Sequence, residues 1–483
     1  MNSNRVLVTP FFRQCFVTLG VATNVMSFGL ISGYAAVLLP QLTNTKYIEL
    51  DDESLSWIAS IIGFSVIVGA FIAPSIMSKK GRRLALITGC LANITGWVLF
   101  IVARNTLTIL FARFFQGMCL GIGGVVAHVT IGEYTSPKNR GAFLVLHPFS
   151  MFLGSMIQHV QGVFLTWKTV AAVSLCINII AMIIVILSPE TPSFLATRGK
   201  FKSCKKSFHW LRGHDEEDEL EEMIKAVMLI KTKPNKERPS VAIFIKDKMK
   251  SIIEAFKKKE FYKPVILAMH LQFLNLWSGS LLNETYMHEI YMEIFGNFND
   301  MYYVYWSLDA QRILTAVLAM VVIRKVKRRK VLLIAVLLNI TAYVLIAGYV
   351  YGKKVGMLPN SIPVGVILLH FHYFTIASGC TMMPNIIAGE IYPLEYRSIC
   401  GMISTLSFSI YIIIKLKTLP FLFAKIGLHG AYLVYASLVG YSLIVLMSIL
   451  PETKDKTLQT IENEFKGSQI DHESAKRMIE IKN

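Results

Sequence analysis

The dominant pattern along this chain is a series of long apolar runs separated by short charged loops. Twelve such runs can be counted, at residues 12–39, 56–78, 84–103, 107–132, 141–165, 169–188, 264–293, 301–323, 331–351, 362–389, 399–424 and 429–450. A helix needs roughly 20 mainly apolar residues to cross the hydrocarbon layer of a membrane. The pattern therefore predicts an all-α membrane protein with twelve transmembrane helices.

The composition agrees, since 54% of the 483 residues are apolar, and the charge adds the orientation. A net charge of +18 could attract nucleic acid or anionic lipid. The basic residues, however, collect after the second, fourth, sixth and eighth runs, whereas acidic residues follow the first. Because cytoplasmic loops are enriched in Lys and Arg, this placement predicts that both termini face the cytosol. We therefore expect contacts with membrane lipid and no nucleic-acid partner.

The sequence carries no signature of an enzyme, a metal site or a cofactor site. Its seven cysteines form no close-spaced pair, and most lie within apolar runs, where Cys behaves as a small hydrophobe. No G-x-x-x-x-G-K-[ST] phosphate-binding loop is present, which argues against an ATP-driven pump. We predict a protein that is not an enzyme and that needs neither cofactor nor metal.

Charged motifs occur twice in the same order. Glu133 precedes Arg140 by seven residues after the fourth run, and Glu390 precedes Arg397 by seven after the tenth. Basic loops and Pro-Glu-Thr segments are repeated in the same way. The repetition predicts two six-helix bundles, a transporter architecture. The predicted segments are an N-terminal bundle (1–189), a cytosolic linker with amphipathic helices (190–262), a C-terminal bundle (263–450) and a cytosolic tail (451–483). For the linker, a solvated segment with helical turns is the alternative.

An ordered set of short motifs covers nearly the whole chain. In sequence order they are Arg113-Phe114…Gly117, Glu133…Arg140-Gly141, Pro189-Glu190-Thr191-Pro192, Trp210-Leu211-Arg212-Gly213, Ser278-Gly279, Gly389-Glu390-Ile391-Tyr392-Pro393 and Pro451-Glu452-Thr453-Lys454. This order resembles the sugar-porter branch of the major facilitator superfamily, and within it the facilitated trehalose transporters of insects. The resemblance implies the major facilitator fold, a plasma-membrane location and alternating access, in which two bundles open a central cavity to each side in turn. We expect a monomer.

The resemblance also implies a cytosolic gate made of charged residues. The matching positions are Arg82, Arg83, Arg113, Glu133, Arg140, Glu190, Arg328, Arg329, Glu390 and Arg397. Ion pairs at helix ends are strong when partly dry and weaken when the interface becomes wet. The alternative is that these charges only fix the topology. Two acids of the family pattern are missing, because Ser78 and Arg324 stand in their places.

The candidate substrate-binding residues depart from the family pattern more strongly. They are His159, Asn275, Ser278, Asn283, Glu284, Tyr286, Arg312, Asn385 and Phe408. A sugar site needs amides and hydroxyls for several OH groups and an aromatic face. Charges inside the membrane usually face a cavity, although Asp309 and Arg312 are three residues apart and could pair with each other.

The sequence thus predicts facilitated (uniport) transport of a small solute, a sugar such as trehalose or hexose. The first run, 12–39, contains no acidic residue, whereas proton-coupled sugar porters place a titratable acid there. Two alternatives stay open. Arg312, Glu284 and His159 are compatible with a different, charged organic solute. The missing gate acids are compatible with a transport-impaired sensor or scaffold of the same fold.

Overall fold

A computed structural model describes residues 9–45, 51–136, 143, 146–214, 216–232, 256, 258–280, 285–296, 301–392, 397–454, 456, 461 and 464–465. Among these residues there are helices and no strand. The first six helices are α1 (Pro10–Thr45), α2 (Asp52–Lys79), α3 (Arg82–Val102), α4 (Thr106–Tyr134), α5 (Leu146–Phe164) and α6 (Trp167–Leu187). Three shorter helices follow: α7 (Pro192–Thr197), α8 (Phe201–Arg212) and α9 (Glu217–Thr232).

The second half repeats the six-span pattern with interruptions. Its helices are α10 (Lys259–Trp277), α11 (Met287–Phe295), α12 (Met301–Lys325), α13 (Arg328–Lys354), α14 (Ile362–Thr375), α15 (Met382–Ile391) and α16 (Arg397–Ile449). A π-helical turn, Ile376–Cys380, joins α14 to α15. Helix α16 bends at Gly427, whose φ of 69° is left-handed, and so it forms two spans.

The predicted number of spans is confirmed by this arrangement. In the described part of the chain, nine helices are long and apolar enough to cross a membrane. One of the nine is the bent α16, which counts twice. Helix α5 and the broken pair α10–α11 supply the remaining two of the twelve spans.

Within each half the helices approach closely at small residues. A Cβ added to Gly69 in α2 would overlap the carbonyl oxygen of Met118 in α4, and one added to Gly121 would overlap that of Val66. Helices α1 and α5 meet in the same way at Gly29. Apolar burial gives little drive to associate within lipid, so van der Waals contact between backbones at such positions holds the bundles together.

Among the described residues, the two halves contact each other at one end of the molecule. We name the end that carries Arg82 and Arg328 the basic end and the opposite one the far end. At the far end the rings of Phe164 and Trp306 are 5.9 Å apart, joining α5 to α12. There α2 meets α16, where Lys417 Nζ lies 4.1 Å from the ring centre of Trp57. The structure is therefore closed at the far end.

The segment after α6 packs under the N-terminal half at the basic end. Arg13 and Gln14 of α1 donate hydrogen bonds to the carbonyl oxygens of Trp210 and Leu211, at 3.1 and 3.2 Å. Arg212 donates to the carbonyl oxygen of Thr135 at 2.8 Å. Helix α8 buries one side of itself and exposes its lysines, as expected for an amphipathic helix. Most of the basic stretch at 246–259, for which the linker sequence predicts an amphipathic helix, lies outside the described residues.

Candidate functional site

A cavity of about 160 Å³ lies between the two halves near the far end. Helices α1 and α5 line it on one side, and α11 and α12 on the other. Its polar lining comes from Gln41, His159, His288 and Tyr305. Binding sites for drug-sized ligands typically measure roughly 300–1,000 Å³, so this cavity is smaller than a typical site.

A buried group of three charged or titratable side chains borders the cavity. His159 Nδ1 of α5 lies 2.5 Å from Asp309 Oδ2 of α12. Arg312 donates to Asp309 Oδ1 at 3.4 Å. All three residues are at most 3% exposed. Buried charges are tolerated when paired, and here one carboxylate serves two partners.

The broken span α10–α11 supplies three of the candidate residues. Helix α10 ends at Trp277, and Ser278 Oγ donates to the carbonyl oxygen of Asn275 at 2.9 Å. The buried Oδ1 of Asn275 has no hydrogen-bond partner among the described residues, so it can accept a bond from a solute hydroxyl. Tyr286 donates through its hydroxyl to the carbonyl oxygen of Leu416 at 3.2 Å.

Of the predicted site residues in the described chain, His159 lines the cavity, whereas Asn275, Ser278, Tyr286, Arg312, Asn385 and Phe408 are not part of its lining. Asn385 of α15 is exposed, and its amide nitrogen donates to the carbonyl oxygen of Thr381 at 3.1 Å. Phe408 of α16 is half-buried and packs against the apolar core. Asn283 and Glu284 lie outside the described residues.

At the basic end, the charged residues of the first half form a cluster of their own. Arg82 pairs with Glu133 at 2.8 Å. Glu190 accepts hydrogen bonds from the backbone N–H groups of Arg82 and Arg83, at 3.0 and 3.3 Å. A carboxylate suits this position because the first N–H groups of α3 have no partner inside the helix.

The second half repeats this cluster nearly atom for atom. Arg328 pairs with Glu390 at 3.4 Å. Glu452 accepts from the backbone N–H groups of Arg328 and Arg329, at 3.0 and 3.3 Å. Each cluster thus ties the loop before α3 or α13 to the end of another span and to the Pro-Glu-Thr segment of the same half.

The comparison with known families covers nearly the whole chain. The profile of the family described as "Sugar (and other) transporter" matches residues 15–465. The chain belongs to this sugar transporter family. The family is one of transporters rather than of enzymes, and the membrane spans make this member a multi-pass membrane protein.

Curated relatives of this transporter are similar over nearly its whole length. The facilitated trehalose transporter Tret1 of Apis mellifera ligustica is 26% identical over 460 residues, covering 94% of this chain and 88% of the relative. The protein of the same name from Drosophila virilis is 23% identical, covering 94% of this chain and 49% of the relative. The transporter thus spans about half the length of that fly relative.

Solved structures identify its fold. The proton:xylose symporter XylE bound to 6-bromo-6-deoxy-D-glucose superposes with a TM-score of 0.74 at 14% identity, covering 95% of this chain and 100% of XylE. The inward-open form of XylE from E. coli gives a TM-score of 0.73 at 15% identity, covering 94% of this chain and 100% of that one. The major facilitator fold predicted for this transporter is confirmed.

Arg113 does not join the charged cluster of the transporter's first half. It lies on α4 twenty residues before Glu133, which corresponds to about 30 Å along a helix. Its guanidinium is buried over the rings of Tyr34 and Phe100 and donates to the carbonyl oxygen of Ile31 at 3.1 Å. The structure thus places Arg113 toward the far end. Arg140 and the side chain of Arg397 lie outside the described part of the chain.

Sequence reasoning missed several residues of this transporter. Glu452 is not among the predicted gate residues, although the repeated Pro-Glu-Thr segment matches it to Glu190 and so could have identified it. Asp309 is predicted only as a partner of Arg312. The buried atoms Gln161 Oε1 and Trp277 Nε1 have no hydrogen-bond partner among the described residues. The signal for Gln161 was a polar side chain inside an apolar run.

Proposed function

We propose that this transporter carries a small neutral sugar, such as trehalose or a hexose, across the membrane by facilitated diffusion. The observation that carries the proposal is a family match across both halves, with a mainly apolar cavity between them to which Gln41, His159, His288 and Tyr305 add polar groups. The resemblance to facilitated trehalose transporters supports this substrate class. Described residues of the first span include no acid, which favours uniport.

The pairing of Arg312 supports a neutral rather than a charged solute. Its positive charge is balanced by Asp309 at 3.4 Å, within a site that is at most 3% exposed. An anionic solute would have to replace that carboxylate, which would cost a buried ion pair. A solute that offers only hydroxyl groups can leave the pair intact.

We further propose how the transporter sits in the cell. The basic end faces the cytosol, since that is where loops rich in Lys and Arg collect. Both termini then lie in the cytosol, and the protein acts as a monomer in the plasma membrane. The boundaries at residues 189, 262 and 450 remain our prediction, as does a cytosolic gate at the basic end formed by the two charged clusters.

Uptake into liposomes that contain only this protein tests the proposed substrate. We expect saturable entry of labelled trehalose or glucose, no entry of organic acids or amines, and no accumulation driven by an imposed proton gradient. Entry of charged solutes alone would support the other substrate class, and the absence of any flux would support a sensor or scaffold.

A matched pair of variants tests the site. Asn275→Ala should raise KM for the sugar about tenfold, because one hydrogen bond to the solute is lost. Asn385→Ala should leave KM near the parent value, because that amide bonds to its own helix. Equal effects of the two substitutions would contradict the assignment of Asn275.

A further inference from the structure

Asp309 lies where the two halves meet inside the apolar interior. Its Oδ2 is 2.5 Å from His159 Nδ1, and the two residues are 1% and 3% exposed. The contact joins α12 of the C-terminal half to α5 of the N-terminal half. A polar contact buried this deeply is costly to leave unmade.

The two helix faces around this contact match each other. His159 and Phe152 are seven residues apart and therefore lie on one face of α5. Asp309 and Arg312 are three apart and share one face of α12. The guanidinium carbon of Arg312 lies 4.5 Å from the ring centre of Phe152. Both residues of the α12 pair thus contact α5.

The contacts of Asp309 respond differently when the halves move. Asp309 and Arg312 belong to one helix and stay together. His159 moves with α5, so opening of the far end breaks the contact between His159 and Asp309. The contact is present in this far-end-closed structure, and an opening that separates α5 from α12 breaks it. An interaction that differs between two conformers shifts their populations.

We infer that Asp309 is a positioning residue of the transport cycle: by pairing with His159 across the halves, it holds the far end closed. The inference rests on the proposed function, because alternating access is what requires this end to open. His288 and Tyr305 line the cavity beside His159 and contribute no negative charge at neutral pH. Among the described residues that line the cavity or complete this group, Asp309 is the one that carries an acidic side chain.

The test measures how fast the far-end cavity becomes accessible. Val37 lines the cavity and is 6% exposed. In a full-length variant without the seven native cysteines, Val37→Cys reports opening by its rate of reaction with a thiol reagent in detergent solution. Asp309→Asn and His159→Leu should each speed labelling about tenfold, the scale of one hydrogen bond to a charged group. The double variant should be no faster than either single one, because both remove the same contact.

Two further variants make the outcome specific. His159→Lys keeps a donor for Asp309 and should retain nearly the parent labelling rate. Glu293→Gln removes an exposed acid of the C-terminal half that does not line the cavity, and should change nothing. If Asp309→Asn does not fold, the labelling rates of His159→Lys and His159→Leu are compared instead, and that comparison decides whether the contact holds the far end closed.

Three results would overturn the inference. His159→Lys and His159→Leu could label at equal rates, both single variants could label like the parent, or the effects of the two single substitutions could multiply in the double variant. The labelling needs no substrate. A protein that failed to carry sugar could therefore still confirm that the His159–Asp309 contact holds the far end closed. A protein that carried sugar could refute it.

Discussion

At the residue scale, the pKa values of two equivalent carboxylates at the basic end are shifted in opposite directions. Burial raises the pKa of Glu190 above its usual 4.5, and the backbone N–H groups of Thr191, Arg83 and Arg82 offset this only partly. Burial acts on Glu452 in the same direction but less completely. There, backbone N–H donors, first of all that of Lys454, lower the pKa below 4.5. The two halves therefore share the geometry of this cluster but differ in the direction in which the pKa of its carboxylate is shifted.

The difference predicts opposite effects of pH on stability. The lowered pKa of Glu452 stabilises the fold above pH 4.5, and this contribution is lost as the pH falls through the lowered value. The raised pKa of Glu190 contributes below pH 4.5 and is lost as the pH rises through the raised value. Glu452→Gln should therefore lower Tm most at neutral pH, and Glu190→Gln most in acid.

Thermal unfolding of the two purified variants between about pH 4 and about pH 7 checks this, each variant serving as the control of the other. Parallel pH profiles for the two variants would show that the carboxylates are equivalent after all.

Single residues also show how far sequence alone reaches. The repeated motifs predict Arg82, Glu133, Arg328 and Glu390 as gate residues, and the structure pairs Arg82 with Glu133 in one half and Arg328 with Glu390 in the other. The approach of His159 to Asp309 does not, because these residues are on different spans and only the packing of the two halves joins them. The motif predicts Arg113 as a gate residue, whereas its distance from the other gate residues depends on the rise of α4.

At the element scale, close helix contact rather than apolar burial holds α2 against α4. Gly69 and Gly121 face each other there, each against the backbone of the other helix. Any side chain at these positions would force the helices apart. Because lipid surrounds the helices, the hydrophobic effect does not compensate for this loss of van der Waals contact.

Substitution of one glycine should therefore destabilise the bundle. Gly121→Ala places a methyl group against the carbonyl oxygen of Val66 and should cost about 1–3 kcal/mol. Gly124→Ala in the same helix is the matched control, since nothing lies within 4 Å of its added Cβ. Denaturant unfolding of both variants measures the difference. Similar losses for the two would mean that the tight contact is not what matters.

Elements also limit what hydropathy can predict. The runs at 264–293 and 362–389 suggested continuous spans, yet the structure divides the first into α10 and α11 and inserts a π-helical turn in the second. Both interruptions fall in the C-terminal half, within the spans that carry candidate site residues. A break in a helix inside an apolar run depends on contacts with neighbouring helices, and the hydropathy of the run alone cannot predict those contacts.

At the scale of the whole molecule, closure at the far end and pairing within each half at the basic end describe one state of a cycle. The α5–α12 and α2–α16 contacts close the far end. The Arg82–Glu133 and Arg328–Glu390 pairs each lie within one half, so each pair can move with its half as a rigid unit. The repeat in the sequence predicted two bundles, but which end is closed depends on their contacts.

Counterflow in liposomes tests the central claim, carrier-mediated exchange of a neutral sugar, most directly. Liposomes containing only this protein are loaded with unlabelled trehalose or glucose and diluted into a trace of the same labelled sugar. An alternating-access uniporter should accumulate label transiently above equilibrium and then release it, because outward movement of unlabelled sugar returns the site for labelled sugar. A channel would equilibrate without an overshoot, and a protein that does not transport would take up no label. Either result would contradict the account.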